Sequence, residues 1–196
     1  MSGTDATAAP ADGRRARGER RRAELLDATL RVVRRDGAAG VTHRTVAAEA
    51  GVTTSLTTYH FATLDDLLVA ALTTVAEGYA ADVDAILAAN DDPLTGLAAL
   101  LAASASEAGR GRALAERELV TLAARRAALR PLARHWRSTA ARLFGRYTAD
   151  PTAIAAGVAA SDGLCAAILL SGEEPDVAQV RAVLAQAVGV DDRSDA

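Results

Sequence analysis

Lysine is absent from this chain, cysteine and tryptophan occur once each, and aromatic residues make up only 3%. Each scarcity narrows the possibilities. A lone Cys165 excludes an internal disulfide framework and a multi-cysteine zinc site, a usage that fits a reducing cytosol. The missing lysine beside 22 Arg is read as coding bias, although arginine also suits phosphate recognition. No N-terminal apolar run has the layout of a signal peptide, and no stretch of about twenty uncharged apolar residues offers a membrane span. The most apolar segment, 154–170, is interrupted by Asp162 and by small polar or glycine residues, so it is expected to be a buried helix. These absences predict a soluble, cytoplasmic protein with no membrane partner.

What remains is rich in Ala, Leu and Arg, which favours helix over strand. At 196 residues the chain suits one or two domains with a sizeable core. The net charge of −3 conceals an asymmetry. Residues 1–64 hold ten Arg against seven acidic residues, and residues 65–196 hold twelve Arg against eighteen. A basic N-terminal module on an acidic remainder points to a local nucleic-acid footprint. Much of that charge lies in Arg14, Arg15, Arg17, Arg20, Arg21 and Arg22. They form either a solvated, disordered tail or an arm that touches phosphates or the minor groove.

The stretch THRTVAAEAGVTTSLTTYHF, residues 42–61, carries the chemistry. Val46, Ala47 and Ala50 share one helical face, and Ala47 is small enough for a second helix to cross above it. Gly51 stands where the chain must turn sharply with positive φ. Val52 plugs the angle, and Thr53 is placed as N-cap of a second helix that runs to His60. That helix is dense in short hydrogen-bonding side chains, as a surface offered to a partner would be.

Periodicity and breakers divide the chain into nine helices. The first spans 19–35, with Leu26, Leu30 and Val33 as its stripe and Gly37 as its stop. After the two motif helices a fourth starts at 64, with Thr63 and Asp66 as its cap, and runs to 89. Asn90-Asp91-Asp92-Pro93 ends it. A fifth spans 94–108, broken by Gly109-Arg110-Gly111, and a sixth runs to 127. The seventh covers 129–147 with Pro131 in its first turn. The eighth covers 151–170 and the ninth ends near 188.

Residues 24–70 resemble the DNA-binding domain of the TetR family of bacterial transcriptional regulators. AELLDATLRVVRRDG, VTHRTVAAEAGV, the Tyr59-His60-Phe61 triplet and the acidic LDDLL carry the resemblance. The nine-helix layout and the AASDGL segment at 159–164 are similar to that family as well. The sequence departs from the commoner pattern in placing Thr57-Thr58 where an apolar residue and Tyr usually precede HF. Leu56 and Tyr59 are displaced by one each, and Leu64 replaces a basic residue. The resemblance implies an all-α, TetR-like architecture: a disordered arm over 1–18, a helix-turn-helix domain over 19–64, and a ligand-sensing and dimerisation domain over 65–196.

It further implies a homodimer through residues 151–188. Ala155, Ala156, Ala159, Ala160 and Gly163 would allow close backbone approach, and Val177, Val180, Val183, Leu184 and Val188 would form an apolar stripe. Such a dimer sets two recognition helices about 34–36 Å apart on double-stranded DNA with a near-palindromic operator. The candidate DNA contacts are Arg44, Thr53, Thr54, Ser55, Thr57, Thr58, Tyr59 and His60; Leu56 and Phe61 are assigned to packing.

The resemblance also implies a small-molecule cavity enclosed by helices four to eight, since helical bundles commonly bind ligands between their helices. Its candidate residues are Glu118, Leu119, His135, Trp136 and Phe144. Trp136 and Phe144 serve as ligand wall or as core, and Glu118 as anchor of a cationic ligand or as partner of a nearby Arg. No nucleophile–base pair, metal-ligand spacing or phosphate loop occurs, so neither an enzyme nor a metal or other cofactor is expected. The reading is a repressor released from its operator by a small-molecule effector. The alternatives are a DNA-binding regulator without ligand response, an activator, and a helical small-molecule-binding protein or enzyme.

Overall fold

The computed structural model describes residues 9–89 and 92–190. Among them the chain is all-α, with nine α-helices and no strand: α1 Ala9–Asp36, α2 His43–Ala50, α3 Thr54–His60, α4 Leu64–Ala88, α5 Pro93–Ala102, α6 Glu107–Leu122, α7 Arg130–Phe144, α8 Pro151–Ser171 and α9 Val177–Ala187. The chain forms two compact units, one ending at Ala71 and the other beginning at Leu72, with the division inside α4. Residues 1–8 of the expected arm, Asn90-Asp91 and the acidic tail beyond 190 lie outside the described residues.

Within the first unit, α1 begins at Ala9, so the part of the expected disordered arm from 9 to 18 is helical. Arg15 and Glu19 pair one turn apart at 3.1 Å and Arg21 with Glu24 at 2.6 Å, local support that offsets part of the cost of Gly13 and Gly18. Leu26, Leu30 and Val33 are buried as the periodicity requires, with Leu25, Ala28 and Val32 beside them. Glu49 on α2 accepts from Arg31 Nε at 2.7 Å and Arg35 Nη1 at 2.6 Å, which ties α2 to α1. The hydrogen bond from Arg31, then that from Arg35, holds the Glu49 carboxyl below its ordinary pKa.

Thr42 and Thr45 form a capping box at the start of α2. The helix stops at Gly51, whose φ of 65° and ψ of 34° are left-handed. A side chain there costs about 1–2 kcal/mol, so glycine fixes the turn. Thr53 occupies the N-cap position of α3 but makes no capping bond; its hydroxyl instead lies 2.9 Å from Ser55 Oγ. At α4 the expected reciprocal cap forms: Asp66 N donates to Thr63 Oγ1 at 3.1 Å and Thr63 N to Asp66 Oδ2 at 3.0 Å.

In the second unit the break between α5 and α6 falls at Ala103–Ala105, not at Gly109-Arg110-Gly111. Ser106 Oγ caps α6 by accepting from Gly109 N at 3.0 Å. A Cβ at position 109 would lie 2.0 Å from the Ala103 carbonyl oxygen, so this glycine serves close approach rather than termination. Val83, Leu94, Leu97, Leu143, Phe144, Ile168 and Leu184 form the core shared by α4, α5, α7, α8 and α9.

Two expectations about the terminal helices change. Val180, Leu184 and Val188 are buried in the subunit's own core, leaving Val183 as the exposed member of the stripe on α9. By contrast α8, expected to be buried, has only 28% of its most apolar window covered. Ala155, Ala156, Ala159, Gly163, Ala167 and Leu170 lie exposed along it at helical spacing. By length and composition alone α8 could cross a membrane.

One carboxylate joins the helix ends. Asp92 caps α5 by accepting from Leu94 N at 3.1 Å, and takes the Tyr147 hydroxyl at 2.6 Å, Thr95 Oγ1 at 2.9 Å and Arg181 Nε. Burial would raise its pKa, but hydrogen bonds from Tyr147, Arg181, Thr95 and the Leu94 amide win and bring it down to about 2. A carboxyl depressed when folded stabilises above its unfolded value of about 4 and loses that contribution as pH falls towards 2. Asp92→Asn is therefore expected to cost about 1–2 kcal/mol at pH 7 in urea unfolding. The gap to wild type should narrow between pH 4 and pH 2; a pH-independent gap would exclude the carboxylate as its cause.

Candidate functional site

The first candidate surface is α3 with the start of α2. Thr53, Thr54, Ser55, Thr58 and Tyr59 are exposed, Tyr59 by 82%, and Arg44 is exposed at the second residue of α2. A row of hydroxyls with one phenol and one guanidinium suits phosphate oxygens and base edges. His60 is half-buried and meets the Tyr59 ring edge-on, with centroids 5.2 Å apart.

Thr57 is the exception among the candidates. It is fully buried, donating from Oγ1 to the Thr54 carbonyl at 2.6 Å and approaching the His43 carbonyl at 3.3 Å. It therefore seats α3 against α2 and leaves the exposed face to its neighbours. Phe61 is buried as assigned, while Leu56 is only half-buried.

The arginine-rich part of α1 belongs to the same surface. Arg14, Arg15 and Arg22 line one concavity with Tyr59 and His60, and the Arg22 guanidinium lies 5.0 Å from the Phe61 ring centroid. The run of arginines in the sequence was a signal of charge, but not of its position beside the end of α3.

The second candidate is a cavity of about 340 Å³ within the other unit. Tyr79 of α4 and Trp136 of α7 stack on its wall, with centroids 4.2 Å apart and planes within 9°. Arg112, Glu116 and Arg117 of α6 face Asp162 and Cys165 of α8 around it. Arg112 Nε donates to Glu116 Oε1 at 2.6 Å and its Nη2 to Asp82 Oδ2 at 2.7 Å. Arg137 Nη1 donates to Asp162 Oδ2 at 2.8 Å, and Arg117 Nη2 to the Asp162 carbonyl. Burial pushes the Tyr79 phenol pKa up, and the charges of Asp162 and Glu116 push it further. The wall thus carries two carboxylates, Glu116 and Asp162, and two guanidinium groups, Arg112 and Arg117, around the aromatic pair.

Of the five expected pocket residues, only Trp136 lies on this wall. Glu118 and His135 are exposed, while Leu119 and Phe144 are fully buried outside the cavity lining. On α6, Glu116 and Glu118 are two residues apart, about 200° around a helix, and the cavity takes the former. Ala113, Glu116, Arg117 and Val120 recur at the spacing of a single face, and that repeat could have revealed the wall.

A helix-turn-helix with an exposed polar second helix, joined in one chain to a helical unit that encloses a cavity, defines a DNA-binding transcriptional regulator. Comparison with known proteins makes the class specific. Residues 25–71 match "Bacterial regulatory proteins, tetR family" and residues 88–190 match "Tetracyclin repressor-like, C-terminal domain". The chain belongs to the TetR family of bacterial transcriptional regulators, which are not enzymes.

It is 45% identical to the multidrug binding protein EbrR in complex with ethidium, across 85% of this chain and 97% of that one, with a TM-score of 0.72. A TetR-family protein of Streptomyces coelicolor A3 is 44% identical over the same shares, with a TM-score of 0.75. The HTH-type transcriptional regulator BetI of Burkholderia ambifaria is 38% identical over 87 residues. That match spans 44% of this chain and only 45% of BetI.

The contrast between buried Thr57 and exposed Thr58 is testable by thermal unfolding. Thr57→Arg places an unpaired charge in the helix contact and is expected to destabilise by about 3 kcal/mol or more. Thr58→Arg should remain within about 0.5 kcal/mol of wild type. Equal tolerance at both positions would contradict the burial of Thr57.

Proposed function

We propose that the protein is a homodimeric operator-binding repressor, released from DNA when an aromatic cation occupies the cavity. The observation that carries the effector class is the stacked Tyr79–Trp136 pair beside the Glu116 and Asp162 carboxylates. Aromatic faces and carboxylates together favour a planar cation over a neutral or anionic molecule. EbrR is bound to ethidium, malachite green and proflavin in its crystal structures, and all three are aromatic dyes that carry positive charge. The cytoplasm, where operator and effector meet, is the proposed location.

The proposed DNA contacts are Arg44, Thr53, Thr54, Ser55, Thr58, Tyr59 and His60, with Arg14, Arg15 and Arg22 on neighbouring phosphates. A second copy of the chain is the proposed cover for the exposed face of α8. Its small residues suit a helix laid alongside, and Leu170, 86% exposed, would be enclosed there. The two-fold partner sets the recognition helices about one DNA turn apart on a near-palindrome.

Binding to the protein's own promoter region tests the reading. Affinity should fall by about tenfold or more between 50 and 200 mM salt, and Arg44→Ala or Tyr59→Ala should weaken it several-fold without lowering the melting temperature. Malachite green should dissociate the complex, with DNA weakening dye binding by the same factor. A complex indifferent to the dye would indicate a regulator without this ligand response.

The dimer has its own test. Leu170→Arg should yield a folded monomer in sedimentation and lower operator affinity by about a hundredfold, because only one half-site is then held. A wild-type monomer that still binds the operator tightly would refute the proposed assembly.

A further inference from the structure

We infer that the cavity prefers cations that also carry an oxygen acceptor, and that the Tyr79 phenol is the group that donates to that oxygen. The inference rests on the proposed aromatic-cation site and adds a second feature to the same ligand. It follows from the balance of hydrogen bonds on the cavity wall. The acceptors there are engaged. Glu116 takes Arg112 Nε at 2.6 Å, Asp162 takes Arg137 Nη1 at 2.8 Å, and the Asp162 carbonyl takes Arg117 Nη2. By contrast, donors on that wall stand unpartnered. The Nε of Arg117 is buried with no acceptor. The Trp136 indole N–H, which can only donate, makes no hydrogen bond among the described residues.

Tyr79 turns this surplus into selectivity. It is 9% exposed and lines the cavity, yet its hydroxyl has no partner among the described residues. The stack on Trp136, with centroids 4.2 Å apart, fixes the ring and so the place of the hydroxyl. Burial, then the charges of Asp162 and Glu116, keeps the phenol protonated and therefore a donor. A buried donor without an acceptor is costly, and most such groups in proteins are satisfied. A ligand oxygen that meets the phenol removes that cost. An aromatic cation with no acceptor stacks on the same rings and leaves the cost in place. A site that presents a buried donor discriminates by what it loses when the acceptor is missing. Tyr79 thereby acts as a specificity-determining residue, with its ring face for the cation and its hydroxyl for the oxygen.

The experiment titrates the purified full-length protein, free of nucleic acid, with two planar aromatic cations. Berberine is edged with ether oxygens, whereas N-methylacridinium has neither an oxygen nor an N–H. Tyr79→Phe, which keeps the ring, is expected to weaken berberine about tenfold and to leave N-methylacridinium within about twofold of wild type. The variant loses a hydroxyl that bonds nothing in the subunit, so its melting temperature should equal or exceed that of wild type. These results together would support the assignment of the phenol.

If both cations bind wild type and Tyr79→Phe leaves berberine unchanged, or weakens both alike, the inference is overturned and the cation site stands. Binding of N-methylacridinium without berberine has the same meaning. A Tyr79→Phe protein that melts well below wild type, or fails to fold, shows that the phenol already has a partner within the subunit and overturns the inference equally. If neither cation binds wild type, the aromatic-cation reading of the cavity falls, and the inference falls with it.

Discussion

Asp92 accepts from a backbone amide on α5, a phenol beyond α7 and a guanidinium on α9, and the order of the second unit rests on that convergence. Its neighbours explain why. A core built mostly of Leu and Val packs through side chains of similar size and shape, and such surfaces set the register of one helix on another only weakly. A carboxylate that is satisfied in only one arrangement removes that freedom. It sets the start of α5, and the far end of that helix supplies Leu100 and Leu101 to the cavity wall. The same carboxylate orders Tyr147, whose phenol pKa rises to about 12 through burial and its bond to Asp92. The position of the cavity wall is thus linked to a polar contact at the opposite end of α5.

Features written locally in the chain were legible before the fold was known. Gly51 needs only its own φ, and the Thr63–Asp66 cap needs only residues three apart. The stripe of Leu26, Leu30 and Val33 repeats at the helical period and is buried accordingly. Thr57 was illegible because its role depends on the His43 carbonyl, fourteen positions away, and a threonine reads equally well as a surface or a buried donor. Most of the cavity's lining was illegible for a related reason. Its stacked ring partners, Tyr79 and Trp136, lie far apart in the sequence, and neither position implies the other. Gly109 illustrates a third kind of failure, since a glycine required for close approach to Ala103 has the same letter as one that ends a helix.

Burial patterns also separate the two terminal helices, which composition alone treats alike. Both α8 and α9 are apolar, yet α9 spends Val180, Leu184 and Val188 on the subunit's own core. An isolated subunit therefore leaves an apolar face of α8 in water, at a scale of about 25 cal/mol for each Å² exposed. The proposed dimer removes that cost without drawing on the residues that stabilise the subunit itself. A lipid surface would be a poor substitute, because Asp162 stands in the middle of α8 and is ion-paired with Arg137.

The placement of α8 bears directly on how an effector could be felt. One side of the helix gives Ser161, Asp162 and Cys165 to the cavity, while Ala155, Ala159, Gly163 and Leu170 lie exposed along it. Arg110 Nη2 of α6 donates to the Leu169 carbonyl at 2.7 Å, and Arg117 to that of Asp162, so α6 grips α8 at two points two turns apart. A packed helix moves as a body more readily than it bends. A displacement of α6 would pull on α8 through these two hydrogen bonds. If a second copy covers the exposed face of α8, cavity and subunit interface are coupled through one rigid element, and a change of fractions of an ångström at the ligand becomes a change in the angle between subunits.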